Sequence, residues 1–298
     1  MRDFSQDHRW LSINTATVRK SGGIELSLTE IIEACARRGI RAISPWRDQV
    51  AAAGLDAVAR LLRTHQIELS GYCRGGMFTA VDAAGLRATR DDNRRAVDEA
   101  CTLGAPCLVL VVGGLPGALE GKAAHKDLGG ARAQVQDGIG ELLAYARTQN
   151  MPLAIEPLHP MYAADRACIN TLEQALELCE ALDPATGRSA GARADLGVAI
   201  DVYHLWWDPK LQAQIDRAGR ERLLAFHVCD WLTPTTDLLL DRGMMGDGVI
   251  DIPKIRGWVE DQGFDGYSEV EIFSAANWWQ REHGAVLDTC IQRHRSAV

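Results

Sequence analysis

Four short apolar runs in the second half of the chain each end in a side chain that can bind a metal ion. The side chains at these ends are Glu156, Asp201, His227 and Glu271. Each run is a few residues of Ala, Val, Ile, Leu or Phe, which is typical of a buried parallel strand. A carboxylate or imidazole at the end of such a strand costs free energy unless an opposite charge meets it there. We therefore predict that the four side chains bind one metal ion and that the protein is an enzyme.

The ligand types indicate which ion this would be. Three carboxylates and one imidazole form a hard, oxygen-dominated site, which favours Mn²⁺ or Mg²⁺ and also admits Co²⁺ or Zn²⁺; we expect Mn²⁺. A structural zinc site would more often contain cysteines. Each residue taken alone has an ordinary alternative, since Glu156 or Asp201 could cap a helix and His227 could be a hydrogen-bonded core residue. Their joint position on four consecutive runs favours the shared site.

The elements that must position these residues alternate between strand and helix along the whole chain. We predict strands at 11–15, 42–44, 67–72, 107–112, 153–156, 198–201, 224–228 and 267–272. A capping box formed by Ser27 and Glu30 opens the first helix, which stops at Gly39. Further helices are predicted at 51–64, 93–103, 131–149, 171–182, 209–218, 253–262 and 277–294. Eight strand–helix pairs predict a single (β/α)8 TIM barrel, one domain over residues 1–298, with its active site at the carboxyl ends of the strands.

Composition and charge argue against several classes of protein. Of the 298 residues, 47% are hydrophobic and 24% are charged, which predicts a folded core rather than long disorder. The net charge of −8 disfavours a nucleic-acid partner, because phosphate binding requires a basic face. The eight cysteines include no CxxC pair, which indicates reduced thiols in a cytoplasmic protein. The polar N-terminus and the lack of an apolar run of about 18 residues argue against a signal peptide and a membrane partner.

Five segments of the chain are similar to motifs of a known family. They read IEPLHP (155–160), DVYH (201–204), HVCD (227–230), DRGMMGDGVID (241–251) and EVEIF (269–273). With them the chain resembles the xylose-isomerase-like TIM barrels, specifically the sugar phosphate isomerase/epimerase group. That group includes inosose isomerases and dehydratases, hydroxypyruvate isomerases and ketose 3-epimerases. The resemblance covers nearly the whole chain and implies the same four metal ligands on strands five to eight.

The resemblance also implies two substrate contacts, and the motifs leave one ligand open. His204 matches a substrate-contacting histidine, although it could be a surface residue at a helix start. Arg242 matches an arginine that approaches substrate oxygens, although it could simply pair with its neighbour in the loop. Glu269 and Glu271 point to the same side of their strand, so only the one nearer the barrel mouth reaches the metal; we expect Glu271. Ketose 3-epimerases have a second Glu where this chain has Tyr162.

Other strand ends supply candidate walls for the substrate. Aromatic faces suit the C–H side of a sugar or cyclitol ring, and Arg or His suits its hydroxyls. Residues of these types near the strand ends are Asn14, Trp46, Arg47, Tyr72, Arg74, His159, Trp206 and Trp207. Among them we expect Trp46, Tyr72 and His159 to bind substrate. The tryptophan pairs 206–207 and 278–279 could instead be packing or subunit contacts, and they are compatible with a homo-oligomer.

The chemistry expected of this site is proton transfer next to a carbonyl. A metal-chelated hydroxy-ketone is acidified at the neighbouring carbon, and the ion holds the resulting enediolate. Glu156 and Glu271 could each serve as a catalytic base. Return of the proton to the adjacent carbon isomerises the substrate, return to the other face epimerises it, and loss of a β-hydroxyl dehydrates it.

Three functions remain open on this basis. The first is an isomerase or epimerase of a small keto-sugar or cyclitol. The second is a lyase on the same scaffold, such as an inosose dehydratase or an enzyme that cleaves a 3-keto-glycoside. The third is a metal-binding barrel without catalysis, which would not need two bases. Endonuclease IV shares the fold, but it needs three zinc ions, more histidines and a basic face.

A glycine-rich loop at 243–248 raises the question of a phosphorylated substrate. Such loops after the last barrel strands often bind phosphate. Here Asp241, Asp247 and Asp251 surround the loop, and only Arg242 and Lys254 oppose them. Carboxylates repel a phosphate dianion, so we predict a neutral, unphosphorylated substrate and a loop that bends over the site.

Overall fold

Buried apolar strands at the centre of the molecule form one parallel sheet. The computed structural model describes residues 1–185 and 192–298. Within these ranges the sheet has nine strands: β1 Leu11–Asn14, β2 Ala42–Ser44, β3 Glu68–Leu69, β4 Tyr72–Gly75, β5 Leu108–Val111, β6 Leu153–Glu156, β7 Leu196–Asp201, β8 Leu223–Val228 and β9 Ser268–Val270. They pair in the order β3-β2-β1-β9-β8-β7-β6-β5-β4. A parallel bridge links Trp46, which follows β2, to Cys73 of β4, so the sheet is nearly closed. The predicted TIM barrel is confirmed.

The third predicted strand, at 67–72, is broken into two pieces. Strand β3 pairs with β2, whereas β4 pairs with β5 in a register that shifts between Cys73 and Gly75. Ser70, in the break, donates its hydroxyl to Oε2 of the buried Glu269 at 2.8 Å. At the break, the Ser70 hydroxyl thus provides a hydrogen bond to a carboxylate that is buried in the barrel interior. The upper piece then extends past the predicted end and places Arg74 near the barrel mouth.

The helices surround the barrel, and each follows a strand or a loop at its mouth. Their bounds are α1 Leu28–Arg37, α2 Arg47–Ala53, α3 Leu55–His65, α4 Ala83–Leu103, α5 Leu128–Thr148, α6 Leu172–Leu182, α7 Val202–Leu205, α8 Leu211–Arg222, α9 Ile252–Asp261 and α10 His283–Ala297. The helix predicted at 51–64 is two helices, because Gly54 adopts φ +85° between them. The last predicted helix begins as a separate 3-10 turn at Trp278–Gln280.

The capping box at the start of α1 is confirmed. The backbone N–H of Glu30 donates to the Ser27 hydroxyl at 3.3 Å, and the Glu30 carboxylate accepts from the Ser27 N–H at 2.8 Å. Substitution Ser27→Ala removes one of these bonds and should lower the free energy of unfolding by about 1 kcal/mol. Urea denaturation followed by circular dichroism measures this. The exposed non-capping substitution Ser296→Ala is the control, and an equal loss there would contradict the cap's role.

The cysteines pack as small apolar residues. All eight lie in the described ranges and are free thiols, and seven of them are buried. Burial raises the pKa of Cys35 and of Cys107 to about 12. These thiols are therefore protonated and unreactive at neutral pH.

The hydropathy of the described helices differs from that of membrane spans. No helix in residues 1–185 or 192–298 combines the length and apolar character needed to cross a membrane.

Candidate active site

The four side chains predicted to share an ion converge at the barrel mouth. Glu156 ends β6, Asp201 ends β7, His227 lies in β8, and Glu271 directly follows β9. All four are buried, and one potential ligand atom from each lies within 4.8 Å of the others. Two ligands on opposite sides of a divalent ion lie about 4.3 Å apart at ordinary bond lengths. The spacing of the cluster therefore fits a single ion.

The charge of the cluster also fits a cation. Arg242 is the nearest guanidinium, and its Nη1 donates to Glu271 Oε2 at 3.0 Å and to Asp201 Oδ2 at 3.3 Å. Burial raises the pKa of Asp201 to about 6 and that of Glu271 to about 8, despite this arginine. Glu156 contributes in the same direction for both carboxyls. The buried negative charge thus exceeds what the arginine balances, and a divalent ion would supply the difference.

His227 lies between two carboxylates. Its Nδ1 is 2.8 Å from Glu156 Oε1, and its Nε2 is 3.6 Å from Glu269 Oε1, which is longer than a hydrogen bond. Burial lowers the pKa of His227, but Glu269, Glu156 and Glu271 together raise it well above its ordinary value. The Nδ1 edge faces the cluster, so Nδ1 is the candidate ligand atom.

The geometry separates the two glutamates of the last strand. Asn14 Nδ2 donates to Glu269 Oε1 at 2.8 Å and to Glu271 Oε1 at 2.9 Å. Glu269 also accepts a hydrogen bond from the Ser70 hydroxyl. It lies on the Nε2 side of the His227 ring, whereas Glu156 lies on the Nδ1 side. Glu271 lines the central cavity instead. Of the two, Glu271 is the better candidate ligand.

Short elements after the strands orient the remaining groups. The Asp201 carboxylate accepts the Tyr203 N–H at 2.8 Å through Oδ1, which starts helix α7 and leaves Oδ2 facing the cluster. Arg242 lies in a two-residue strand, Arg242–Gly243, that pairs antiparallel with Asp230–Trp231. Its guanidinium lies 4.4 Å from the centre of the Tyr203 ring. Cation–π contact and ion pairing therefore fix Arg242 beside the cluster.

His204 is buried next to Arg242 and is held in a neutral state. Its Nδ1 accepts the backbone N–H of His159 at 3.2 Å, and its Nε2 lies 3.3 Å from Arg242 Nη2. Nε2 lies 3.5 Å from Asp201 Oδ2. Burial lowers the pKa of His204 well below its ordinary value, and Arg242 lowers it further. His204 and Arg242 both line the cavity, where the sequence placed them as substrate contacts.

The cavity above the cluster has a volume of about 200 Å³. Glu156 and Glu271 line the cavity with their carboxylates, and Trp46 and Phe273 line it with aromatic rings. The Trp46 and Phe273 rings pack edge to face at 5.5 Å, and Trp46 Nε1 donates to the Asn14 side chain at 2.7 Å. A small polyol would thus meet carboxylates on one side and aromatic rings on another.

Two residues predicted to bind substrate do not line this cavity. Tyr72 is fully buried, and its hydroxyl donates to Glu99 of α4 at 3.0 Å. Tyr72 thus faces the helices, whereas the next two residues of β4, Cys73 and Arg74, line the cavity. His159 stacks on Trp231 at 4.8 Å, and its contact with His204 is through its backbone. Tyr72 thus packs outside this cavity, and the His159 backbone positions His204; substrate binding by either residue stays a prediction.

Tyr162 and Arg166 are cavity residues to which the sequence assigned no site role. Tyr162 and Arg166 follow β6 in an irregular segment that includes the 3-10 turn Pro160–Tyr162. The Tyr162 hydroxyl donates to the carbonyl of Leu238. In the sequence Tyr162 stood out only as a departure from a family glutamate. Arg166 lies in no regular element, so periodicity gave no signal for it.

The chain is similar in sequence and in fold to several known proteins. The family described as xylose isomerase-like TIM barrel matches residues 32–289. Protein SMc04130 from Sinorhizobium meliloti 1021, a crystal structure, is 54% identical with a TM-score of 0.88 over 97% of this chain and 98% of that one. The inosose isomerase of Halalkalibacterium halodurans is 21% identical over 271 residues, which are 88% of this chain and 87% of the isomerase. The IolI protein, crystallised with a zinc atom, is 19% identical with a TM-score of 0.74 and 95% coverage of both chains, a likeness in fold.

Proposed function

We propose that this chain, which belongs to the xylose isomerase-like TIM barrel family, is a divalent-metal-dependent isomerase or epimerase of a small keto-sugar or cyclitol. The observation that supports this most is the buried cluster of three carboxylates and one imidazole beside a cavity with aromatic walls. The similar inosose isomerase acts, by its name, on a cyclitol ketone, which supports the same substrate class here.

Glu156, Asp201, His227 and Glu271 would hold the ion. Oxygen-dominated ligands favour Mn²⁺ in our proposal, and Zn²⁺ is the alternative that the zinc-containing IolI structure supports. When bound, a divalent cation polarises the substrate carbonyl and stabilises negative charge that develops on its oxygen. Arg242 and the neutral His204 would bind and orient the substrate oxygens from the side of the cavity that they line.

Glu156 and Glu271 would move the proton. Both carboxylates line the cavity, and they come from strands separated by β7 and β8 in the barrel. One would remove a proton from the carbon next to the carbonyl, and the other would return it. Delivery to the opposite face gives an epimer, and delivery to the adjacent carbon gives the isomer.

The loop at 243–248 supports an unphosphorylated substrate for a different reason than its charge. The Gly246 N–H donates to Asp230 Oδ2 at 2.9 Å, and the Asp247 N–H donates to the Met244 carbonyl at 2.9 Å. Asp247 is paired with Arg293 at 2.8 Å. None of these loop residues, all in the described part of the chain, lines the cavity. The loop therefore lies outside the cavity rather than over it, which supports an unphosphorylated substrate.

The proposal predicts solvent exchange at the substrate carbon. Mn²⁺-loaded protein incubated in D₂O with inososes, keto-hexoses and keto-hexuronates should place deuterium next to the carbonyl of its substrate and yield an isomer or epimer. Mass spectrometry and proton NMR measure both, and a dehydrated or cleaved product would instead identify the lyase. Glu173→Gln, at an exposed pair with Lys210, is the control and should exchange normally. Absence of exchange with every substrate in the panel would contradict the proposal.

A further inference from the structure

Two arginines without a carboxylate partner line the same cavity as the cluster. Arg74 is the third residue of β4, and Arg166 follows the 3-10 turn after β6. In the described ranges neither guanidinium lies within 4.0 Å of a carboxylate. Each instead lies 5.8 Å from the centre of an aromatic ring, that of Trp46 for Arg74 and that of Tyr162 for Arg166. Both cations are therefore available to a molecule in the cavity.

The cavity that holds the two arginines is also lined by Glu156 of the cluster. Burial lowers the pKa of Arg74 and the positive charge of Arg166 acts in the same direction, whereas the charge of Glu156 raises it. A neighbouring arginine, Arg47, is neutralised by Asp92 at 2.9 Å and by Glu99 at 2.7 Å. Two half-buried guanidinium groups that line one cavity without a bonded carboxylate, in a chain that pairs the neighbouring arginine, indicate an anionic group on the molecule that the cavity binds.

The position of Arg74 sets where that anion would lie. In the barrel, β4 is separated from β8 by three strands on one side, β5, β6 and β7. Arg74 therefore lies across the barrel mouth from His227 of the cluster. A substrate with its carbonyl at the cluster would direct its far end toward the arginines.

The carboxylates of the same cavity favour a substrate with one negative charge over one with two. Glu156 and Glu271 line the cavity together with Arg74 and Arg166. A phosphate dianion near these carboxylates is repelled more strongly than a single carboxylate group.

We propose that the substrate is a keto-sugar acid whose carboxylate is bound by Arg74 and Arg166. This rests on the proposed function, since it adds a second group to the same substrate. It replaces the neutral substrate expected from the loop sequence, and it keeps the substrate unphosphorylated. Paired hydrogen bonds from arginine to a carboxylate are among the stronger polar contacts in proteins.

The test uses a matched series in which only the sixth carbon changes. D-Fructose, D-fructuronate and D-fructose 6-phosphate end in a hydroxymethyl, a carboxylate and a phosphate, and D-tagatose gives a second series. Isothermal titration calorimetry of the Mn²⁺-loaded protein should show at least about tenfold tighter binding of one uronate than of its parent sugar and its phosphate. Equal binding of sugar and uronate, or tightest binding of the phosphate, would overturn the inference.

Variants then assign the effect to the two arginines. Arg74→Gln and Arg166→Gln should each weaken uronate binding about tenfold and leave sugar binding within twofold, whereas Arg166→Lys should retain part of the affinity. Arg60→Gln, on the outer helix α3, is the matched control. Unchanged uronate affinity in both glutamine variants would also overturn the inference. Because calorimetry needs no turnover, this failure is distinct from the absence of deuterium exchange, which concerns the proposed function.

Discussion

Substitution His227→Ala is expected to remove bound metal and to lower turnover by at least about a thousandfold. The imidazole is fully buried, and it separates Glu156 from Glu269. Without it the ion loses a ligand, and the remaining carboxylates repel each other across a cavity left in the barrel. Elemental analysis of the purified variant measures metal content, and far-UV circular dichroism shows whether the barrel still folds.

Metal removal from the unmodified protein provides the companion measurement. Saturating Mn²⁺ stabilises the folded state by about 2.7 kcal/mol at a hundredfold excess over Kd, so chelation should lower Tm by roughly 5–10 °C. The His227→Ala protein should show no such Mn²⁺-dependent shift. His125→Ala, at an exposed histidine, should behave like the unmodified protein. Full activity after exhaustive chelation would refute the metal dependence.

The barrel and the cluster could be predicted from the sequence because their signals are local. Strands β6, β7 and β8 are apolar runs, and each ends at or next to a side chain of the cluster. The general rule that barrel sites form at the carboxyl strand ends then brings those side chains together without further information. The capping box of α1 is equally local, since it needs only Ser27 and Glu30 at the correct spacing.

The parts that failed depend on contacts distant in sequence. The break before β4 coincides with a hydrogen bond from Ser70 to Glu269, a residue 199 positions away in the sequence. Once the strand restarts at Tyr72, this ring faces helix α4, where its hydroxyl donates to Glu99, and it does not line the cavity. Arg166 reaches the cavity from an irregular segment, where no periodicity indicates which way a side chain points. Only the folded chain shows that Arg74 and Arg166 line one cavity.

Substitution Glu271→Gln should reduce kcat by roughly a hundredfold to ten-thousandfold, the usual contribution of a catalytic base. The amide keeps the shape of the side chain, so part of the metal affinity should remain. Glu269→Gln is the matched control two residues away, since Glu269 lies beyond His227 and does not line the cavity in the described structure. It should keep turnover within about tenfold of the unmodified protein. Normal rates in Glu271→Gln, with a large loss in Glu269→Gln, would exchange the roles of the two glutamates.

Exchange in D₂O then distinguishes the two bases by the face of the substrate that each serves. If the reaction is an epimerisation, Glu156 and Glu271 act on opposite faces of the same carbon. The Glu271→Gln protein should then exchange the proton of one epimer, through Glu156, without converting it to the other. The Glu156→Gln protein should show the reverse preference, and proton NMR of both epimers measures it. Loss of exchange from both epimers in either variant would mean that a single carboxylate removes and returns the proton, which is the pattern of an isomerase.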